Sequence, residues 1–241
     1  MIKNLPNFIT CINLVFGCIG LLLLFNGNLA GAAMCIWFSA IADFFDGFVA
    51  RAVHANSLMG KELDSLADVV SFGVLPAFMW FYYIMQSIKP GLSFSNVTIE
   101  TYLPFIALFM AVCSAWRLAR FNIDERQTDH FRGVPVPANA LVWSALPFMS
   151  SQSLFPWAQD WLTNPIFVVV FGLVLSLLLI SDFPLIAFKF KEWSFGSNKT
   201  KYLFLVGSVG LFVALGANGV FFVFISYLVA SFIESRSLKS I

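Results

Sequence analysis

Charge is scarce in this chain. Only 11% of its 241 residues are Asp, Glu, Lys or Arg, while 59% are hydrophobic. A soluble domain carries about 25% charged residues, so an ordinary soluble fold is excluded and the chain reads as an integral membrane protein. Histidine is nearly absent: His54 and His130 stand far apart and read as solvated loop residues. The four cysteines, Cys11, Cys18, Cys35 and Cys113, lie in apolar segments with no CxxC and no nearby histidine pair, so each reads as a small buried hydrophobe. The first ten residues lack the n-region and cleavage site of a secretory signal, which makes the apolar run from Phe8 to Phe25 a retained helix. Repeats, low-complexity tracts and a separate soluble domain are also missing. The formal net charge of +1 says nothing about partners, and no nucleic acid is expected among them.

What is abundant is apolar length. A spanning helix needs about 20 apolar residues, and windows of that size give about eight candidates: 8–26, 28–52, 60–88, 101–121, 136–155, 164–183, 201–217 and 219–236. The expected fold is all-α and polytopic. The third window is longer than a span needs and must tilt or begin in the interface. The fifth is interrupted by Pro135, Pro137 and Pro147, and the last two are parted only by Gly216-Ala217-Asn218-Gly219. Orientation follows from Lys and Arg. With the N-terminus inside, 13 of the 14 basic residues collect on the cytoplasmic side and Lys89 alone lies outside. The topology predicted is N-in and C-in, in a cell (inner) membrane.

Against that apolar background one stretch is polar. Asp43, Asp46, Gly47 and Ala50 fall at i, i+3, i+4 and i+7, one face of a helix, and Gly60, Asp64 and Asp68 fall at i, i+4 and i+8, again one face. A short turn through His54, Ala55, Asn56 and Ser57 returns the second helix antiparallel to the first, so the carboxylates can converge. A carboxylate in hydrocarbon costs roughly 2.5–3.5 kcal/mol on the lenient insertion scale, and four of them ask for a positive partner. Oxygen ligands without cysteine or histidine favour a hard cation such as Mg²⁺, Mn²⁺ or Ca²⁺. Two such ions can clamp a pyrophosphate for in-line phosphoryl transfer. Asp43 lies about 12 Å along its helix from Arg51, at ~1.5 Å per residue, so the pocket is recessed. Gly47 and Gly60 let a nucleotide or a helix approach the backbone, and Arg51 offers a fork of donors to phosphate. Glycines of this kind also serve plain helix packing, and intramembrane carboxylates also line cation paths; neither explains the whole pattern.

That pattern, D-x2-D-G-x2-A-R-x8-G-x3-D-x3-D from Asp43 to Asp68, resembles the signature of the CDP-alcohol phosphotransferases, with every fixed position present. The resemblance implies an enzyme that moves a phosphatidyl group from a CDP-linked lipid to an alcohol and releases CMP. It implies that Asp43, Asp46 and Asp64 hold divalent metal with Asp68 near the second ion. It makes Asp68 the general base, and it places Gly47, Ala50, Arg51 and Gly60 around the cytidine and pyrophosphate. It further suggests that Asn7, Thr10 and Asn13 border the nucleotide site. An interfacial entry surface near Lys3, Pro6 and Asn7 would lie close to the lipid headgroup.

Three further stretches are similar to the serine-using bacterial members of that family. They are Asn4 to Asn13, Ser71 to Ala77, and Trp116 to Asn122 with Phe131 to Ala138. The likeness covers roughly the first 140 residues, so one domain is expected over 1–241 with its catalytic core at about 1–140 and C-terminal helices at 141–236. Arg117 and Arg120, at i and i+3, and Arg132 in the next loop can receive a carboxylate or phosphate, although arginines there also serve positive-inside topology or meet headgroups. The acceptor implied is L-serine and the donor CDP-diacylglycerol, drawn from the surrounding membrane lipid; a homodimer is implied by the family alone. The nearest rival keeps the mechanism with glycerol 3-phosphate, inositol phosphate or another small alcohol. A rival of another class is an ion-coupled transporter, which leaves Arg51 and Gly60 without a reason for their spacing.

Overall fold

The computed structural model describes residues 4–55, 57–88, 102–123, 131–151, 154–182, 184–185 and 199–239, with 131–132, 184–185, 199–201 and 233–239 described by backbone alone. Helix α1 (Leu5–Phe25) buries Pro6, Thr10, Asn13, Gly17, Gly20 and Leu24 and exposes Phe8, Val15, Ile19, Leu22 and Phe25. This is a water-soluble helix turned inside out. Lipid tails accept the large apolar side chains, and small or polar residues face neighbouring helices, where backbones can approach closely. A Cβ on Gly17 would stand 2.5 Å from Ser71 Oγ, and one on Gly20 2.5 Å from a Leu75 methyl.

Helix α2 (Leu29–Ala52) starts at Asn28, whose side chain accepts from the Gly31 N–H at 2.8 Å. It ends where His54 takes φ 50° and Ala55 N–H reaches back to Ala50 O at 3.0 Å. Helix α3 (Leu58–Asp68) is capped by Ser57 Oγ, which accepts from Gly60 N–H at 3.0 Å. A π-helical segment, Val69–Val74, follows at once and continues into α4 (Leu75–Ile88). The long third window is thus one run with a wide turn inserted immediately after Asp68. Such segments are rare and concentrate at functional sites.

A 3₁₀ turn at Leu103–Ala107 leads into α5 (Leu108–Ile123). The prolines expected to interrupt the fifth window mostly start it instead: Pro135 is the N-cap of α6 (Val136–Ser150) and Pro137 sits in its first turn, where a missing N–H is harmless. Only Pro147 is interior, and α6 ends at 150, short of the expected 155. Helix α7 (Pro156–Thr163) and α8 (Pro165–Ile180) meet at a 92° bend. Asn164 forms that corner, accepting from the N–H groups of Ile166 and Phe167 at 3.0 and 3.2 Å. A two-residue antiparallel pair, β1 (Phe131–Arg132) with β2 (Pro184–Leu185), ties the loop before α6 to the chain after α8. Gly133, at φ 74°, lies against the last carbonyls of α8, where a Cβ would be 2.5 Å from Leu179 O. Finally α9 (Lys199–Leu215) and α10 (Gly219–Lys239) fold back on each other through the 3₁₀ turn Gly216–Asn218, bringing the Phe204 and Tyr227 rings to 5.8 Å.

The protein is therefore all-α, apart from that two-residue pair, and polytopic. Among the described residues five helical runs are long and apolar enough to cross a membrane, or six with α7 and α8 taken as one span. The sequence windows number eight. The difference arises because α6, at 15 residues, is shorter than a span needs, and because α9 and α10 count as one run by length although they turn back at Gly216. The cysteine reading needs correction: Cys35 and Cys113 are buried, but Cys11 and Cys18 lie on the outward face of α1. His54 is exposed as expected, while His130 lies outside the described residues.

Candidate active site in the membrane

The helix-face arithmetic brings carboxylates together as expected. Asp43 from α2 and Asp64 and Asp68 from α3 each offer an oxygen, and these oxygens lie within 4.8 Å of one another. Asp46 stands outside that trio. Its Oδ2 accepts a 2.6 Å hydrogen bond from Thr10 Oγ1, which crosses from α1 to α2. Asp46 and Asp68 are almost fully buried. At this site two buried acceptors, Asp64 Oδ1 and Asn13 Oδ1, have no hydrogen-bond donor. Carboxylates packed this closely inside a bundle need a compensating charge, and an all-oxygen set of this kind suits a hard divalent cation. The trio can hold such an ion.

Beside the trio opens a cavity of about 500 Å³, and Asp64 belongs to both. One wall is α1, through Pro6, Asn7 and Thr10; a second is α2, through Asp46, Gly47 and Ala50; the third is the start of α3, through Ser57, Leu58, Gly60 and Lys61. The two glycines differ. A Cβ on Gly47 would meet only Arg51 Nη1, at 3.5 Å, so the protein itself has room for a side chain there and the space it would fill is the cavity. A Cβ on Gly60 would lie 3.0 Å from Asn7 Oδ1 and 3.1 Å from its own cap, Ser57 Oγ, so Gly60 is tight within the protein. Arg51 is exposed in the last turn of α2 and curls toward Gly47 without lining the cavity. Asn13 does not line it either. It is fully buried and donates through Nδ2 to Asp68 Oδ1 at 3.0 Å.

The three arginines marked as acceptor candidates divide. Arg117, on α5, is buried, with its Nε lacking a hydrogen-bond partner and its guanidinium 5.9 Å from the Phe121 ring. It lies within electrostatic range of both Asp68 and Tyr227. Arg120 is exposed and donates to Asp182 at 2.9 Å. Arg132 is placed in β1 by its backbone, and its side chain lies outside what is described. Lys3, expected in the interface, also lies outside the described residues, whereas Pro6 and Asn7 do face the cavity.

Sequence reasoning missed several participants. Lys61 lines the cavity, and its Nζ donates to Asn122 O at 2.7 Å, while Asn122 Nδ2 donates to Ser65 Oγ at 2.8 Å. This clasp ties the cavity wall in α3 to the end of α5. Lys61 follows Gly60 directly inside the signature, which was signal enough to ask about it. Tyr227 comes from α10, far from any motif, and no spacing could have paired it with Arg117.

A helical membrane protein with an acidic cluster opening on a cavity of this size is the class that fold and site define. The chain matches the CDP-alcohol phosphatidyltransferase family over residues 3–230 and belongs to that family. Among its relatives, the CDP-diacylglycerol–serine O-phosphatidyltransferase of Bacillus subtilis is 32% identical over 189 residues, covering 77% of this chain and 91% of the relative. The enzyme of that name from Methanocaldococcus jannaschii is 33% identical over 181 residues, covering 75% and 73%. The one from Helicobacter pylori is 29% identical over 191 residues, covering 78% and 74%. The family match runs well past residue 140, where the recognisable motifs end.

Proposed function

We propose that this protein is a phosphatidylserine synthase, which transfers the phosphatidyl group of CDP-diacylglycerol to the hydroxyl of L-serine and releases CMP. The observation that carries the proposal is the convergence of Asp43, Asp64 and Asp68 beside a 500 Å³ cavity walled by Asn7, Thr10, Asp46, Gly47, Ala50 and Gly60. The serine-specific names of its relatives support the acceptor. The whole chain acts as one domain, with the chemistry in the first 140 residues.

In this reading Asp43, Asp46, Asp64 and Asp68 hold two divalent ions, Mg²⁺ or Mn²⁺ with Ca²⁺ able to occupy the site. When bound, they neutralise the diphosphate and the departing CMP. The protein's own groups do the rest. Gly47 and Ala50 keep one cavity wall low for the nucleotide, Asn7 and Thr10 border it, and Arg51 swings its fork toward the phosphates. Asp68 accepts the proton of the serine hydroxyl as its oxygen bonds to the lipid-side phosphorus and the bond from that phosphorus to the CMP oxygen breaks. A weakly acidic alcohol needs a base within hydrogen-bond reach for that step. Arg117, buried with a free Nε, receives the serine carboxylate; Arg120 and Arg132 contribute positive charge at the rim. The lipid enters laterally and serine arrives from the cytoplasm, an orientation that the Lys and Arg distribution supports by putting this end of the helices on the cytoplasmic side of the cell membrane. A homodimer belongs to the same proposal.

The test supplies purified protein with CDP-diacylglycerol and Mg²⁺ or Mn²⁺, and offers L-serine, glycerol 3-phosphate, inositol phosphate or no acceptor. Mass spectrometry follows CMP and lipid product. Serine-dependent CMP release with phosphatidylserine is expected. Release with another acceptor alone keeps the family chemistry and discards serine.

A further inference from the structure

Helix α1 carries one polar residue that the cavity does not use. Asn13 has no exposed surface, and its side chain turns away from the cavity walls to donate to Asp68 Oδ1 at 3.0 Å. Its backbone is gripped as well. Ser39 Oγ from α2 donates to Asn13 O at 3.1 Å, and Ser71 Oγ from the π segment donates to the same oxygen at 3.0 Å. Both serines are fully buried. The absence of a side chain at Gly17 is what admits Ser71, since a Cβ there would come within 2.5 Å of its hydroxyl. Three elements thus meet at one residue, whose amide is fastened to the carboxylate of Asp68.

We propose that Asn13 is the positioning residue of Asp68, fixing Oδ1 so that Oδ2 is the oxygen presented to the reacting hydroxyl. The inference rests on the reading of Asp68 as the general base. Helix packing alone does not ask for asparagine here. The stripe of α1 that holds Asn13 also holds Gly17 and Gly20, and a small residue would pack as closely. What a small residue lacks is an N–H donor at the end of a side chain. A buried carboxylate is free to turn about its last torsion unless one oxygen is tethered. A misplaced base loses rate even when the substrate binds normally. Asn13 transfers no proton; the proton goes to Asp68 Oδ2.

The experiment measures steady-state kinetics of the full-length protein in detergent–lipid micelles, with CDP-lipid binding recorded separately. Asn13→Ala should lower kcat about 30-fold, equivalent to about 2 kcal/mol at 1.36 kcal/mol per tenfold, with the CDP-diacylglycerol KM and the CDP-lipid Kd unchanged. Asn13→Leu, similar in size but with no donor, should lose at least as much. The double variant Asn13→Ala/Asp68→Asn should turn over no more slowly than Asp68→Asn alone, because groups acting as a unit are not additive. Should Asn13→Ala fail to fold, Ser71→Ala loosens the same residue from behind and should lower kcat by a smaller factor, again at constant KM. A weaker CDP-lipid Kd with kcat preserved would place Asn13 in the nucleotide site and overturn the proposal. So would full additivity in the double variant, which would show action independent of Asp68. If Asp68→Asn alone retains normal turnover, it is the base assignment that fails, and the single variant reports this separately from Asn13.

Discussion

Two regions of the chain solve the packing problem in a membrane differently. Around α1 to α3 the buried surface is small and polar: Thr10, Asn13, Gly17, Ser39, Asp46 and Asp68 face inward, and helices touch through hydrogen bonds and close backbone approach. Between α4, α6 and α8 the buried surface is large and aromatic. Trp80 and Trp143 rings lie 5.9 Å apart, Trp143 and Phe171 5.6 Å, and Phe167 stacks on Phe171 at 5.7 Å. There Gly172 serves bulk: a Cβ on it would come within 2.0 Å of the Trp80 ring, whose Nε1 donates to Val168 O at 2.9 Å. A glycine of the first region makes room for a hydroxyl, and one of the second makes room for an indole. Precise polar positioning marks one region and interlocking rings the other.

That contrast can be broken by substitution, beginning where the effect should be largest. Asp68→Asn should reduce turnover by a factor on the order of 10²–10⁴, the range of a lost general base, while CDP-lipid binding measured by calorimetry persists. Near-normal turnover would remove Asp68 from the chemistry. Asp43→Ala or Asp64→Ala should weaken the response to added Mg²⁺ or Mn²⁺ and nucleotide affinity together, and an unchanged metal titration would remove them as ligands. Gly172→Ala should act in the opposite sense, lowering thermal stability by about 1–3 kcal/mol as an overpacked core does. The activity per folded molecule should survive; loss of activity at unchanged melting temperature would show that the aromatic region reaches the chemistry.

Gly47→Ala should raise the KM for CDP-diacylglycerol roughly tenfold, the scale of one unwanted methyl group in a binding pocket. It should leave the melting temperature in place, because the protein leaves that space open. A fall in melting temperature with KM unchanged would make Gly47 a packing glycine like Gly172. The smallest effect belongs to Arg120→Ala. Its ion pair with Asp182 is exposed on both sides, and such pairs contribute 0 to about 1 kcal/mol. The KM for serine should rise less than in Arg117→Ala, and the reverse ranking would move the acceptor site outward to the rim.

Much of the polar region was legible beforehand because its information is periodic. Asp43, Asp46, Asp64 and Asp68 repeat at helical spacing, and any helix places such residues on one face whatever surrounds it. Thr10 and Asn13 were also singled out, but their partners were not: Thr10 donates to Asp46 and Asn13 to Asp68. The aromatic region was not legible. Phenylalanine is so frequent here, with 29 in 241 residues, that no pattern distinguishes Phe171, which packs on Trp143, from Phe44, which faces outward. The corner at Asn164 was missed for a related reason. Pro156 and Pro165 each start a helix, and apolar windows average over such corners.

Membrane residence, helical class and the convergence of acidic faces were decided by the sequence itself, since composition and a 3.6-residue period act through bonds already made in the chain. Contacts between distant segments had to await the packed bundle. Thr10 on Asp46, Asn13 on Asp68, Arg117 near Tyr227, Arg120 on Asp182 and the turning back of α10 on α9 each depend on how helices cross and at what depth they meet. Those relations are set jointly by many side chains filling shared space, and no single stretch of sequence contains them.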